Sequence, residues 1–265
     1  MRRKKSKKPK WLIALAFVIL AGGFWAIYRY WTAYQYRYEF EHANASERES
    51  LKFRHVFYSI SDGVLGLDIS QYQDKIRWED FQLNHKNELI EFIVVRATFG
   101  KDQKDIQFER NWKNISELPV KKGAYHYYRP NENSTLQAEN FIETVKLSPG
   151  DFAPILDIER QSTIQTNENL RKGIRNWLAI VEAHYGVKPI IYTGDSYFKD
   201  HLDGNDFQDY PLWIANYNLV RKPKTNHWVI WQFSEKGEMP GIKGKVDLNV
   251  LRGGKNALDN LLISE

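Results

Sequence analysis

At 265 residues, 42% hydrophobic and 27% charged, the chain can bury a sizeable core and has a globular composition. Its net charge of +5 comes from the first ten residues, MRRKKSKKPK, which carry seven basic side chains and no acid; the remainder is net negative by two, which excludes a basic nucleic-acid-binding surface. The absence of cysteine excludes disulfides, thiol catalysis, Cys-ligated zinc and lipid attachment through cysteine.

Taken in chain order, residues 1–10 read as a basic cytoplasmic tail, followed directly by WLIALAFVILAGGFWAIYRYW, residues 11–31. Its segment from Leu12 to Tyr28 is uncharged, and Trp11, Trp25, Tyr28, Tyr30 and Trp31 cluster towards its ends as interfacial aromatics do. A cleaved signal peptide is the competing reading. The long apolar run, the lack of an A-x-A site and the continuing aromatics favour a retained transmembrane signal anchor. The positive-inside rule then places the tail in the cytoplasm and everything beyond the span outside it, on the periplasmic or cell-wall side. Residues 32–62 are polar and aromatic without core periodicity and read as a stalk, helical in part.

From residue 63 to 265 the pattern becomes regular. Eight short apolar runs recur at 64–70, 92–98, 123–128, 152–159, 188–194, 211–217, 227–234 and 245–251. Between them, the segments 76–90, 107–118, 134–147 and 166–186 space apolar residues by three and four, the last two beginning at Ser/Thr/Asn caps. Strands alternating with helices predict an α/β fold, a parallel β/α barrel of the TIM-barrel kind. The last three connections are too short for full helices, so the barrel is expected to be irregular there.

Polar and aromatic residues gather at the ends of these runs: Asp68, Arg96, Tyr125, His126 and Tyr127, Asp157 and Glu159, Tyr192, Trp213 and Asn216, Trp231 and Gln232, with Asp247 from the last run. In a β/α barrel the strand C-termini converge on one face, where active sites sit. Asp157 and Glu159 end an otherwise apolar strand, two residues apart, so their side chains share a face at about 7 Å. Crowded carboxyls raise one another's pKa, and one that keeps its proton near neutral pH is a general acid. Four acids with aromatic platforms, and no Ser–His or thiol nucleophile, point to glycoside hydrolysis. A metal is the competing use of such acids; His126 is the only strand-end histidine and suits hydrogen bonding better than ligation. No Gly-rich phosphate loop follows the first strand. No cofactor or metal is expected.

These blocks resemble the glycoside hydrolase family 25 lysozymes, the Chalaropsis-type muramidases. GLDISQYQDKIRW, FIVVRATFG, FERNW, GAYHYYRP, PILDIE, IIYTG, PLWIANY, IWQFS and GKVDLN follow in family order from about Gly66 to Leu251. The resemblance implies cleavage of the β-1,4 bond between N-acetylmuramic acid and N-acetylglucosamine in peptidoglycan strands, the expected partner beside the membrane. It assigns Glu159 as general acid and Asp157 as the group that orients the substrate's 2-acetamido group. Asp68 and Asp247 complete the acidic cluster. Tyr127, Tyr192, Trp213 and Trp231 line the sugar subsites; Gln232 and Asn216 supply hydrogen bonds, and Tyr125 and Arg96 join them as substrate contacts. Phe99 stands where the family pattern carries an acid.

Neighbours two apart on one strand lie on one side of the cleft, a poor arrangement for attack from the opposite face. A substrate-assisted mechanism with retention is therefore expected, and inversion with Asp68 or Asp247 as base is the runner-up. A catalytically silent peptidoglycan-binding module, and a hydrolase of another N-acetylglucosamine polymer, are the alternative functions.

Overall fold

The computed structural model describes residues 10–218 and 221–264; most of the basic tail, residues 1–9, lies outside the described residues. Two compact units meet at Leu51 and Lys52. In the first, helix α1 (Lys10–His42) runs through both the apolar segment and a third of the expected stalk. Its stretch Ala14–His42 is long and apolar enough to cross a membrane, with a mean hydropathy of 1.3 in its best window. Asn44 and Glu47 then form a reciprocal capping box, each side chain accepting from the other's backbone N–H at 3.0 and 2.9 Å. They start helix α2 (Ala45–Phe57).

The second unit is a closed barrel of eight strands: β1 (Val64–Ile69), β2 (Glu88–Phe99), β3 (Lys121–Tyr127), β4 (Ile155–Asp157), β5 (Ile190–Gly194), β6 (Leu212–Ala215), β7 (Trp228–Gly237) and β8 (Val246–Leu251). All eight apolar runs are strands. Pairing is parallel from β1 through β7 in chain order. It is antiparallel at β7–β8 and β8–β1, which corrects the all-parallel expectation. Only eight residues, 238–245, join β7 to β8. A parallel crossover needs a dozen or more, so the chain can only turn back on itself. The mixed barrel brings the start of β8 to the rim formed by the other strands' ends, and Asp247 sits directly opposite Asp68.

Helices α3 (Phe108–Ser116), α4 (Ser134–Thr144) and α5 (Asn167–Tyr185) cover the outside where expected. The cap of α4 is Asn133, one residue ahead of the Ser/Thr pair, whereas α5 has Thr166 as N-cap and Gly186 in the left-handed region at its end. The helix expected over 76–90 does not form. Those residues make a short turn at Trp78–Asp80 and a hairpin in which Asn84 and His85 pair with Leu89 and Glu88. Lys86 and Asn87 turn it with φ of +50° and +71°, the paired positive values of a tight hairpin. Ile76, Trp78, Phe81 and Leu83 still pack on the core, so their helix-like spacing arises from an irregular segment.

Strict alternation sorts the barrel into two apolar layers. Val64, Phe92, Val94, Ile155, Ile190, Tyr192, Trp213, Ile230 and Leu251 fill the interior, stoppered by Leu258, Leu261 and Leu262. Their strand neighbours pack outward against the helices. On β1 the inward positions are Val64, Gly66 and Asp68; a Cβ at Gly66 would stand 2.2 Å from the Phe92 ring, so the close packing there requires glycine. The compact unit also starts earlier than the expected boundary at 63. Phe53, Val56, Phe57 and Ile60 are buried in the outer layer, with the Phe53 ring 6.1 Å from that of Phe233 on β7. This segment packs on the side of the barrel where the last connections supply no full helix.

Candidate active site

The alternation that builds the core also delivers the site. Continuing each inward row to the rim gives Asp68 after Gly66, Arg96 after Val94, Asp157 after Ile155 and Gln232 after Ile230. On the antiparallel β8 the row from Leu251 climbs through Asn249 to Asp247. Glu159 follows two residues past Asp157, with Ile158 between them buried outward. Asp68, Asp157, Glu159, Asp247, Tyr125, Tyr127, Arg96, Tyr192, Trp213 and Gln232 thus line one cavity of about 210 Å³.

Each carboxyl has a different environment. Asp68 is buried, and its Oδ2 accepts from Asn249 Nδ2 at 2.7 Å and Gln232 Nε2 at 2.9 Å. Trp213 Nε1 donates to Asn249 Oδ1 at 2.9 Å, which fixes the amide so that its NH₂ faces Asp68. Tyr192 and Tyr217 hydroxyls both donate to Gln232 Oε1 and orient the second amide likewise. Burial lifts the Asp68 carboxyl above its ordinary range, opposed by bonds from Asn249, Gln232 and Asp247. Burial, then the charge of Asp68 and the hydrogen bond to it, push Asp247 up to about 9. The pair therefore shares one proton, held on Asp247 and donated to Asp68.

Asp157 is buried, and no protein donor reaches its Oδ1. Burial raises it well above the ordinary value, reinforced by Glu159, Asp68 and Asp247 and opposed by Arg96. Glu159 differs in keeping an exposed side chain, open to the cleft. The enclosing walls raise its pKa, Tyr192 hydrogen bonding lowers it, and the charge of Asp68 raises it again.

Two expected contacts, Trp231 and Asn216, lie elsewhere, and His126 takes the hydrogen-bonding place expected of it. Trp231 faces the outer layer between its inward neighbours Ile230 and Gln232, and donates Nε1 to the Asn216 carbonyl at 2.7 Å. The Asn216 side chain ties the loop after β6 to Asp195 at 3.2 Å and lines neither cavity at the rim. His126 is fully buried behind the wall, stacked 5.6 Å from Trp177. Its Nε2–H donates to Gln137 Oε1 and its Nδ1 accepts from Thr98; burial drives its pKa down to about 3, so it stays neutral. Asn249, Tyr217, Tyr72 and Glu235 join the site unannounced. Asn249 alone carried a signal, lying two residues from Asp247 on the same strand.

The raised carboxyls weaken the fold as pH rises. Asp247 ionises near 3.8 when unfolded and near 9 when folded, so between those values the folded state binds the extra proton and loses stability with increasing pH. Asp247→Asn, whose amide also donates to Asp68, is expected to shrink the Tm difference between pH 5 and pH 8. An unchanged difference in thermal melts at the two pH values would remove Asp247 as its source.

Four acids at the mouth of an irregular eight-stranded barrel coincide with a match to the family model for glycosyl hydrolases family 25 over residues 67–242. The chain belongs to glycosyl hydrolase family 25. Its relatives in that family include the uncharacterized protein YegX of Escherichia coli K12, 38% identical over 193 residues covering 72% of this chain and 70% of the relative. Lysozyme M1 of Streptomyces globisporus is 28% identical over 212 residues, 73% of this chain and 69% of the lysozyme. Among solved structures, the lysozyme from Streptomyces coelicolor superposes with a TM-score of 0.67 at 27% identity, over 76% of this chain and 98% of that one. Membership of family 25 makes this protein a glycoside hydrolase.

Proposed function

We propose that this family 25 hydrolase is a muramidase, cutting the β-1,4 bond between N-acetylmuramic acid and N-acetylglucosamine, with Glu159 as general acid and then base. The observation that carries the reading is the contrast among the acids: Glu159 alone keeps an exposed side chain, while Asp68 and Asp157 are buried and Asp247 is half-buried and hydrogen-bonded to Asp68, which two amides also hold. A proton donor must reach the leaving oxygen and exchange with water, and only Glu159 meets both needs. Asp157, lacking a protein donor on Oδ1, suits an amide N–H entering the cleft, which the substrate's 2-acetamido group supplies. Asp157 would steady that group as its carbonyl oxygen attacks the anomeric carbon, giving hydrolysis with retention. Relatives named lysozyme support the substrate class.

The apolar stretch of α1 supports a single-pass anchor with the tail in the cytoplasm and the barrel on the wall side. Resistance to carbonate extraction from membranes is expected; recovery as a soluble chain would overturn the anchor.

Digestion of purified peptidoglycan by the full chain in neutral detergent tests the activity. Borohydride-reduced fragments ending in N-acetylmuramitol are expected by mass spectrometry, and the β anomer is expected first by NMR. Fragments ending in reduced N-acetylglucosamine, or none beside a competent control enzyme, would overturn the muramidase reading. An α anomer at first appearance would overturn retention alone.

A further inference from the structure

A second cavity, of about 580 Å³, opens beside the catalytic one; Tyr72, Arg96, Tyr127 and Glu159 line both. Its far wall carries Phe99, Arg129 and Arg160. The Arg96 guanidinium lies 4.7 Å from the Tyr72 ring centre and 5.2 Å from that of Phe99, and Arg129 lies 4.9 Å from Phe99. Cations and rings therefore alternate along this wall. A guanidinium carries five N–H donors, so one that packs on a ring and pairs with a single acid oxygen keeps donors for a carboxylate.

The wall is held from behind. Asp105 engages Arg96 through Nε at 2.9 Å. Glu132 divides its oxygens between Arg129 Nη1, at 3.1 Å, and the Lys101 backbone N–H, at 2.7 Å. Gly100, at φ +61°, makes room: a Cβ there would stand 2.5 Å from Glu132 Oε2 and 2.8 Å from Arg129 Cδ. Arg160 has no ion-pair partner among the described residues and is exposed. When Glu159 holds its catalytic proton, the cavity presents an uncompensated positive charge next to the scissile position.

We infer that this second cavity is a subsite for the carboxylates of the peptide branch borne by the muramyl sugar, so that the enzyme reads the acidic stem as well as the glycan. The inference rests on the muramidase reading for its substrate and adds the group recognised. Neutral chitin-like chains carry no anion there, and a peptide-free muramyl sugar carries only its lactyl carboxylate, close to the ring.

The test uses full-length Glu159→Gln in neutral detergent, so that ligands survive, and calorimetric Kd values for three glycan tetrasaccharides. One bears stem peptides with free carboxylates, the second bears the same peptides amidated, and the third is peptide-free. Free carboxylates are expected to bind about tenfold tighter than amidated ones, the scale of one charge-assisted fork. Adding Arg129→Gln and Arg160→Gln should bring that ratio close to one, and Arg160→Gln alone, on an exposed side chain that folding does not need, should lower it. Equal affinities in the parent, or a ratio unchanged in both variants, would overturn the subsite. A peptide-free glycan binding as tightly as the free-carboxylate one would move recognition to the lactyl group and overturn the peptide claim. Parallel digestion by the wild type separates the two readings. Carboxylate discrimination without cleavage sinks the muramidase reading and keeps the subsite; cleavage without discrimination does the reverse.

Discussion

Glu159→Gln is expected to lower turnover of peptidoglycan by about 10³-fold, within the range that a positioned general acid contributes, while leaving the fold and glycan binding in place. The amide fills the same volume, so the exposed side chain loses only its capacity to give a proton. No neighbour can take over. Asp157 is buried, Asp68 already accepts from two amides, and the Asp247 proton is committed to Asp68. In the wild type the alkaline limb of kcat should lie above the ordinary glutamate range, because the cleft walls and the charge of Asp68 both hold the Glu159 proton on. Release of reducing ends, measured beside circular dichroism and glycan affinity, checks the claim. A variant within tenfold of the wild type, normally folded, would take the acid's role from Glu159.

The same residues show why part of this molecule could be read from its sequence and part could not. Strands buried on both faces are near-continuous apolar runs, so all eight were visible, and the carboxyls stood out because they interrupt that apolarity. What the runs conceal is which of two adjacent residues points inward. Trp231 and Gln232 cannot both face the interior, since alternation sends neighbours to opposite sides. Nothing local says which; Ile230 and Gln232 prove inward and Trp231 outward. The same parity puts His126 behind the wall between Tyr125 and Tyr127 and makes Asn249 the companion of Asp247. The direction of β8 follows from a connection too short for a crossover, a length visible in the sequence that the barrel analogy overrode. The 76–90 segment misled because irregular chain packing on a core also shows apolar residues every few positions. The peptide-branch subsite stayed out of view because its wall joins residues from three connections, Tyr72, Arg129 and Arg160, to strand residues Arg96 and Phe99.

The largest effect on stability should come from residues that look like stalk. A fragment spanning 62–265 keeps every strand but loses Phe53, Val56, Phe57 and Ile60, all buried in the outer layer. Phe53 sits at the centre of that loss, its ring 5.3 Å from Phe57, 5.0 Å from His85 and 6.1 Å from Phe233. Truncating one buried Phe to Ala typically costs about 3–5 kcal/mol, and a domain holds only about 5–15 kcal/mol in all. Phe53→Ala in the full chain should therefore lower Tm by about 10 °C, and removing the whole segment should leave the barrel aggregated or without a cooperative transition. A fragment starting at Lys52 is expected to melt cooperatively. The missing segment also reaches the catalytic network, because Lys52 Nζ lies 5.5 Å from the Tyr217 ring, whose hydroxyl helps hold the Gln232 amide against Asp68. Weak hydrolysis by 62–265 would then report a broken scaffold and say nothing against the acids. Thermal melts of the two fragments decide the matter: equal Tm values would return residues 52–61 to the stalk, whereas a cooperative transition confined to 52–265 makes them part of the hydrolase fold.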